Sequence, residues 1–305
     1  MNWQILPRIG YGASFNTLSI CDSVLKKEAK NQYGLKKLQK EIAWYRFVSK
    51  NPSLPCPQIL ETGDSWYTMT YYPYPTLSSV FSRFSAQEKK SCLSKLFTEL
   101  SNLHSSSSLT VSKALYIHNL HLETHSKILE RYKQIEHILQ EYSFLDTVND
   151  VKLKSFEEIL SLLQMKCSDY AESLSDYIYT PIHGDCQFNN ILWNPEINSP
   201  LFIDPRGSFG SSDIYGPPEY DTAKIYFALS GYDTFDSMVI DTLTIDKHTL
   251  YLPNLMLLPH CLNKNDIITT FVISIWLANA HCFIDSPKKA VFSFFYARYL
   301  ASLYL

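Results

Sequence analysis

The chain carries two hydrophobic rhythms, and the change between them comes near residue 72. Before it the apolar runs are short: Thr17 to Ile20 and Ser23 to Leu25 around a Cys21-Asp22 turn, then Ile59-Leu60, a Gly63-Asp64 turn and Trp66 to Tyr72. Runs of this length bounded by turn residues predict strands joined in hairpins. One helical stretch interrupts them, from about Gly34 to Lys50, where Leu35, Leu38, Ile42, Tyr45 and Val48 recur at helical spacing. Pro73 and Pro75 then stop the last strand and stiffen the crossing to the next region. From Leu77 onward the spacing is mostly helical. Stripes run through Ser85 to His104, Leu122 to Tyr142 and Leu153 to Tyr170, and further helices are expected from Tyr220 to Leu229, Phe271 to His281 and Val291 to Tyr304.

One stretch breaks that second rhythm. Between Thr180 and Gly210 the chain reads TPIHGDCQFNNILWNPEINSPLFIDPRGSFG. Two apolar runs, Ile191 to Trp193 and Leu201 to Ile203, flank a turn from Asn194 to Pro200, which predicts a β-hairpin with polar residues at its open end. Antiparallel pairing sets Asn190, at the start of the first strand, facing Asp204, at the end of the second. A second carboxylate, Asp185, lies five residues before Asn190. An amide oxygen and carboxylates gathered in one place suit a hard cation such as Mg²⁺ whose remaining ligands come from phosphates.

Glu41 falls inside the apolar face of the first helix, between Leu38 and Val48. A carboxylate there needs a cation, because an unpaired buried charge is costly. Lys26 is the candidate, with Lys27 the alternative. Ahead of the first strand, Gly10 and Gly12 in IGYGASF would let backbone N–H groups approach phosphate oxygens, as in a nucleotide-covering loop; a plain hairpin is the other reading.

Composition narrows the function classes. With 46% hydrophobic and 19% charged residues over 305 positions the chain is globular, and a net charge of −3 gives no reason to expect a nucleic-acid partner. Seven cysteines without CxxC pairs argue against a disulfide scaffold or a zinc module and for reduced thiols in a cytoplasmic setting. The start lacks the features of a signal peptide. The apolar stretch Ile267 to Ile284 is interrupted by Thr269, Thr270, Ser274, Asn279 and His281, so it reads as a buried helix, and no membrane insertion is expected.

Asp185-x-x-x-x-Asn190 followed by Asp204 on the return strand resembles the catalytic loop and metal-binding Asp of kinases, and the His-Gly-Asp form resembles the aminoglycoside phosphotransferase and choline kinase branch of that fold. The resemblance implies an α+β, bilobal, protein-kinase-like fold. A small antiparallel β-sheet lobe with one main helix would form the nucleotide-binding lobe (1–72). A larger, mostly helical lobe (73–305) would carry the catalytic hairpin, with a hinge at about 70–76. It implies an ATP- and Mg²⁺-dependent enzyme acting on a hydroxyl of a small molecule, with Asp185 as catalytic base and Asn190 and Asp204 on the metal. Lys26 and Glu41 would serve the ATP phosphates, Thr70 and Tyr71 would be hinge contacts, and Met69 would line the adenine pocket. His183 would brace the loop, and Asp221 would be either a helix-start charge or a second brace. Arg206 departs from the pattern: it would bind an anionic group on the acceptor or a phosphate oxygen, or else pair with a loop acid such as Asp213. The Ile-Asp-Pro-Arg-Gly form resembles bacterial relatives encoded with surface-polysaccharide genes, which points to a sugar acceptor. The alternatives are a kinase acting on a protein, against which no Ala-Pro-Glu segment follows Asp204, and a non-catalytic kinase-like binding module.

Overall fold

Five antiparallel strands form the sheet at the start of the chain: β1 (Gln4–Ile5), β2 (Asn16–Cys21), β3 (Val24–Ala29), β4 (Ile59–Thr62) and β5 (Trp66–Thr70), in the order β1-β2-β3-β5-β4. The structure, a computed structural model, describes residues 3–7, 14–51, 53–258, 260–264 and 266–305, so Gly10 and Gly12 lie outside the described residues. Two units emerge by compactness. Met1–Leu109 with Tyr179–Asp221 form one, and Thr110–Ile178 with Thr222–Leu305 form the other.

The first unit is organised by strand alternation. Leu25 and Lys27 lie on the buried face of β3, and register sets Leu25 opposite Met69 and Lys27 opposite Tyr67 on β5. All four therefore face the same side. Helix α1 (Gln32–Val48) covers that face with Leu38, Ile42, Tyr45 and Val48, which join Leu25, Tyr67 and Met69 in one apolar cluster. The α1 helix starts where the Asn31 side chain accepts the Gly34 N–H at 2.9 Å. It ends at Val48, and Pro52 makes a helical conformation unfavourable at Asn51.

Helix α2 (Ala86–Ser105) begins with a full capping box between Ser85 and Glu88 and buries Leu96, Leu100 and Leu103. The expected hairpin forms from β6 (Ile191–Asn194) and β7 (Ser199–Phe202). It is stitched to the segment after β5: Trp193 N donates to Pro75 O at 2.9 Å, and Asn194 Nδ2 donates to the Tyr74 hydroxyl at 2.9 Å.

The second unit is mostly helical. Lys113–His121 continues through a π turn, Leu122–Ser126, into Lys127–Gln140, and Phe156–Ser173, Ile267–Asn279 and Pro287–Tyr304 come after it. Ile267–Asn279 is buried over nearly its whole length, so its apolar sequence fills a core; no helix among the described residues is long and apolar enough to cross a membrane. Trp276 anchors that core, donating from Nε1 to Ser230 Oγ at 2.8 Å.

Gly34 allows α1 to sit against the entry to β2. A Cβ at this position would lie 2.2 Å from Phe15 O, a backbone atom already bonded to Lys30 N. Gly34→Ala should therefore destabilise the protein by about 1–3 kcal/mol, the range for overpacking, despite alanine's helix-propensity advantage of about 1 kcal/mol. Urea denaturation midpoints of the two proteins check this.

Candidate active site

The sheet register brings three charges together. Lys27 extends from β3 toward α1, where Nζ donates to Glu41 Oε1 at 2.9 Å and Oε2 at 2.7 Å, and to Asp204 Oδ1 at 2.7 Å. The partner of Glu41 is thus Lys27 and not Lys26. Lys26 points to the opposite face of β3, where it pairs with Glu28 at 3.0 Å and lies over the Trp66 ring. Period-two alternation is the reason: once Leu25 is buried, Lys27 shares its face and Lys26 cannot. Tyr67, directly across from Lys27, donates its hydroxyl to Glu41 Oε2 at 3.0 Å.

Burial would pull the Lys27 ammonium down, but the carboxylates of Asp204 and Glu41 outweigh it and hold the group above its ordinary value. It is charged at neutral pH. Burial pushes the Glu41 carboxyl up, Lys27 pulls it back, and the nearby Asp204 charge adds to the upward push.

A second network closes around Asp221, in the first turn of α3 (Pro218–Leu229). Its carboxylate is fully buried and accepts the His183 N–H at 2.8 Å and the Gly184 N–H at 2.7 Å. His104, at the end of α2, lies 3.0 Å from the same carboxylate through Nε2. His183 spans the loop. Its Nδ1 accepts the Asp185 N–H at 3.3 Å, which leaves the proton on Nε2 to donate to Ile203 O at 3.0 Å. Burial holds the imidazole below its ordinary pKa, so it is neutral. Burial alone would raise the Asp221 carboxyl, but the His104 contact and the loop N–H groups bring it below the usual range. Gly184 sits at φ +78°, a conformation that admits glycine far more easily than other residues. From α1, Trp44 Nε1 donates to Ile182 O at 2.7 Å, tying the helix that carries Glu41 to the residue before the His183-Gly184-Asp185 loop.

Asp185 and Asn190 meet directly, since Asn190 Nδ2 donates to the Asp185 backbone oxygen at 2.9 Å and to Oδ2 at 3.0 Å. The hairpin register differs by one residue from the sequence expectation. Ile191 pairs with Phe202 and Ile203 N donates to Asn190 O at 3.0 Å, so Ile203 faces Asn190 and Asp204 stands one step beyond, at φ +54°. That extra step turns Asp204 toward Lys27.

The donor set fits Mg²⁺. The Asn190 amide commits its nitrogen to Asp185 and retains an oxygen acceptor. Asp204 is about one-fifth exposed, and among Lys27, Glu41 and Asp204 one ammonium faces two carboxylates. No group of three or more His, Cys, Asp or Glu side chains among the described residues forms a ready-made cage. One carboxylate and one amide oxygen is what a cation that keeps water and phosphate ligands requires.

The other candidate residues take separate places. Met69 packs in the core under α1. The Tyr71 N–H is taken by Ser23 O at 2.7 Å and the Thr70 N–H reaches Gln58 O at 3.4 Å. Arg206 N donates to His183 O at 2.9 Å, and its Nη1 donates to the Tyr220 hydroxyl at 3.0 Å, while Asp213 pairs with Lys40 at 2.9 Å. Sequence reading missed Tyr67, Trp44 and His104. Alternation from Met69 would have flagged Tyr67, and a buried indole N–H always asks for an acceptor. His104 gave no local signal, being 117 residues from its partner.

Lys27→Ala removes the cation from two carboxylates and should cost about 3–5 kcal/mol of unfolding free energy, whereas Lys26→Ala should cost under about 1 kcal/mol; chemical denaturation separates them. His183 is neutral when folded and takes a proton when unfolded below about pH 6.5, so its share of stability falls with pH at up to about 1.4 kcal/mol per unit. Asp221 contributes fully above about pH 3.9, and its share is lost as pH falls through its lower native value. The stability gap between the wild type and His183→Asn should therefore narrow between pH 7.5 and 5.5, as measured by urea denaturation at each pH.

Comparison with known proteins gives this geometry a family. Residues 9–252 match the model of the phosphotransferase enzyme family. Among solved structures, the GDP complex of wild-type aminoglycoside 2′-phosphotransferase-IIIa is 15% identical over 99% of this chain and 93% of its own, with a TM-score of 0.57. A GDP and kanamycin complex of APH(2″)-IIIa is 16% identical over 99% of this chain and 92% of its own, at 0.54. A choline/ethanolamine kinase family protein from Mesorhizobium loti is 10% identical over 98% and 88%, also at 0.54. No curated protein matches the chain. The shared fold is mixed α+β, with an antiparallel sheet first and helices after, and with the family match covering most of its length the chain belongs to the phosphotransferase enzyme family.

Proposed function

We propose that this phosphotransferase is a small-molecule kinase that transfers the γ-phosphate of ATP, with Mg²⁺, to a hydroxyl. The acceptor is a sugar, an amino alcohol or an aminoglycoside-like compound, and the Ile-Asp-Pro-Arg-Gly sequence favours the sugar. The observation that carries this reading is Lys27 held between Glu41 and Asp204, in the unit where Asn190 is bonded to Asp185. The names of the structural neighbours support it: they include GDP complexes, a kanamycin complex and a choline/ethanolamine kinase family protein.

Phosphoryl transfer needs positioning and charge neutralisation more than covalent help. Asp185 would orient the acceptor hydroxyl and take its proton, and Asn190 Nδ2 holds that carboxylate in one orientation. Lys27 supplies a fixed positive charge to the nucleotide phosphates, kept ionised by its two carboxylates. Asn190 Oδ1 and Asp204 are the groups that would hold Mg²⁺, which when bound neutralises charge on the phosphate oxygens. His183 and Asp221 do no chemistry in this scheme; their bonds to the loop backbone fix Asp185. Residues 70–76 serve as the hinge between a nucleotide-binding lobe (1–72) and a catalytic and substrate-binding lobe (73–305). With its N–H engaged by Ser23, Tyr71 would offer adenine its carbonyl.

Saturating Mg²⁺-ATP should raise the melting temperature by several degrees, since ligand at about 100 times Kd adds about 2.7 kcal/mol. GTP belongs in the same assay because two of the structural neighbours are GDP complexes. Asp185→Asn should lower kcat by about 10²- to 10⁴-fold while keeping that thermal shift. Wild-type turnover in the variant would remove Asp185 from its role, and the absence of any nucleotide shift would favour a non-catalytic module.

A further inference from the structure

We infer that Trp44 is a positioning residue for phosphoryl transfer: through its indole, α1 sets the spacing between Lys27, which meets the nucleotide phosphates, and Asp185, which meets the acceptor hydroxyl. The inference rests on the kinase reading and adds to it a residue that does no chemistry itself.

Both ends of the connection leave from one helix. Glu41 and Trp44 are three residues apart in α1, so they are neighbours on one side of it. Glu41 holds the Lys27 ammonium from there, at 2.9 and 2.7 Å. Trp44, only 2% exposed, donates from Nε1 to Ile182 O at 2.7 Å, on the residue before the His183-Gly184-Asp185 loop. Ile182 is fully buried, and its own N–H is already used, donating to Ile214 O at 2.9 Å. The indole thus supplies a donor to a carbonyl in a place where water cannot.

A second contact runs closer to Asp185. The Trp44 ring meets the His183 ring edge-on, with centroids 5.4 Å apart and planes at 81°. His183 Nδ1 in turn accepts the Asp185 N–H at 3.3 Å. The path from Glu41 to the Asp185 backbone therefore crosses one turn of helix, one indole and one imidazole. The chain after Asp204 closes on the same helix. Gly207 sits at φ +59°, and a Cβ there would lie 3.2 Å from Trp44 Cβ and 3.1 Å from Lys40 O, so this segment lies against the α1 backbone. All of these residues belong to the first unit.

Phosphoryl transfer depends on holding the reacting groups in line, and a misplacement of about 1 Å costs about 100-fold in rate. Lys27 keeps its bonds to Glu41 and Asp204 without the indole, so the charges that meet the nucleotide stay in place. What the indole restrains is the movement of α1 against Ile182 and His183, and with it the placement of Asp185 relative to Lys27. Losing a residue that serves this spacing lowers kcat and leaves nucleotide affinity intact.

The test compares the full chain with Trp44→Phe, which keeps an aromatic ring and deletes the N–H, well below the melting temperatures of both. Without nucleotide, hydrogen exchange followed by mass spectrometry should show the peptide covering residues 182–190 exchanging about 10- to 100-fold faster in the variant, the range for a buried group left without its hydrogen bond. Peptides from the helices Phe156–Ser173 and Ile267–Asn279 should exchange as in the wild type. Mg²⁺-ATP turnover is measured with hexoses, amino alcohols, kanamycin and water alone as acceptors. Here kcat should fall by about 10- to 100-fold, with the KM for ATP and the Mg²⁺-ATP thermal shift unchanged. Wild-type kcat in the variant, a loss carried by the KM for ATP alone, or exchange that rises equally in all peptides would each overturn the inference and leave the kinase reading standing. Failure of the wild-type protein to bind nucleotide would overturn both.

Discussion

One ammonium group shared by two carboxylates in a nearly dry setting is the constraint on which the first unit is built. Lys27 reaches both Glu41 and Asp204 within 2.7 Å. Separating Lys27 from Glu41 would leave a charge in a place that water barely enters, a cost of several kcal/mol. The sheet, helix α1 and the chain after β7 are therefore locked in mutual register by electrostatics as well as by apolar burial. Tyr67 adds a hydrogen bond from the sheet, so Glu41 is held from two adjacent strands at once.

The loop from His183 to Asn190 is fixed by a different device. Its backbone N–H groups point at one buried carboxylate, that of Asp221, and its histidine bonds across to the strand that leads to Asp204. A loop of this kind has no regular ladder to satisfy its polar groups, so side chains do it instead. Asp185 is thereby presented from a rigid backbone, with its carboxylate steadied by Asn190. The two networks meet at Ile203 and Asp204, consecutive residues that serve one network each. Trp44 makes a further connection between them, from α1 to Ile182.

Arg206 owes its position to the same compactness. The positive φ and missing side chain of Gly184 allow an arginine from the return strand to lie along the loop, and Tyr220, the neighbour of Asp221, holds its end. The residue that most distinguishes this chain from the pattern it resembles is placed by the parts of the site that match that pattern.

Much of this was legible in the order of residues. The change of hydrophobic rhythm gave the sheet and the helices, since side-chain periodicity is a local property of the backbone. The apolar runs on either side of Asn194 to Pro200 gave the hairpin, and Glu41 on an apolar face announced a buried ion pair. Which lysine answers it was also present in the alternation of β3, because Leu25 commits Lys27 to the same face. Other features were decided only by tertiary structure. The one-residue step that separates Asp204 from Asn190 depends on where the strands actually pair, and the contact of His104 with Asp221 joins helices far apart in sequence. Periodicity tells which face a side chain takes; it carries no information about which distant residue will be waiting there, because that is settled by packing the whole chain at once.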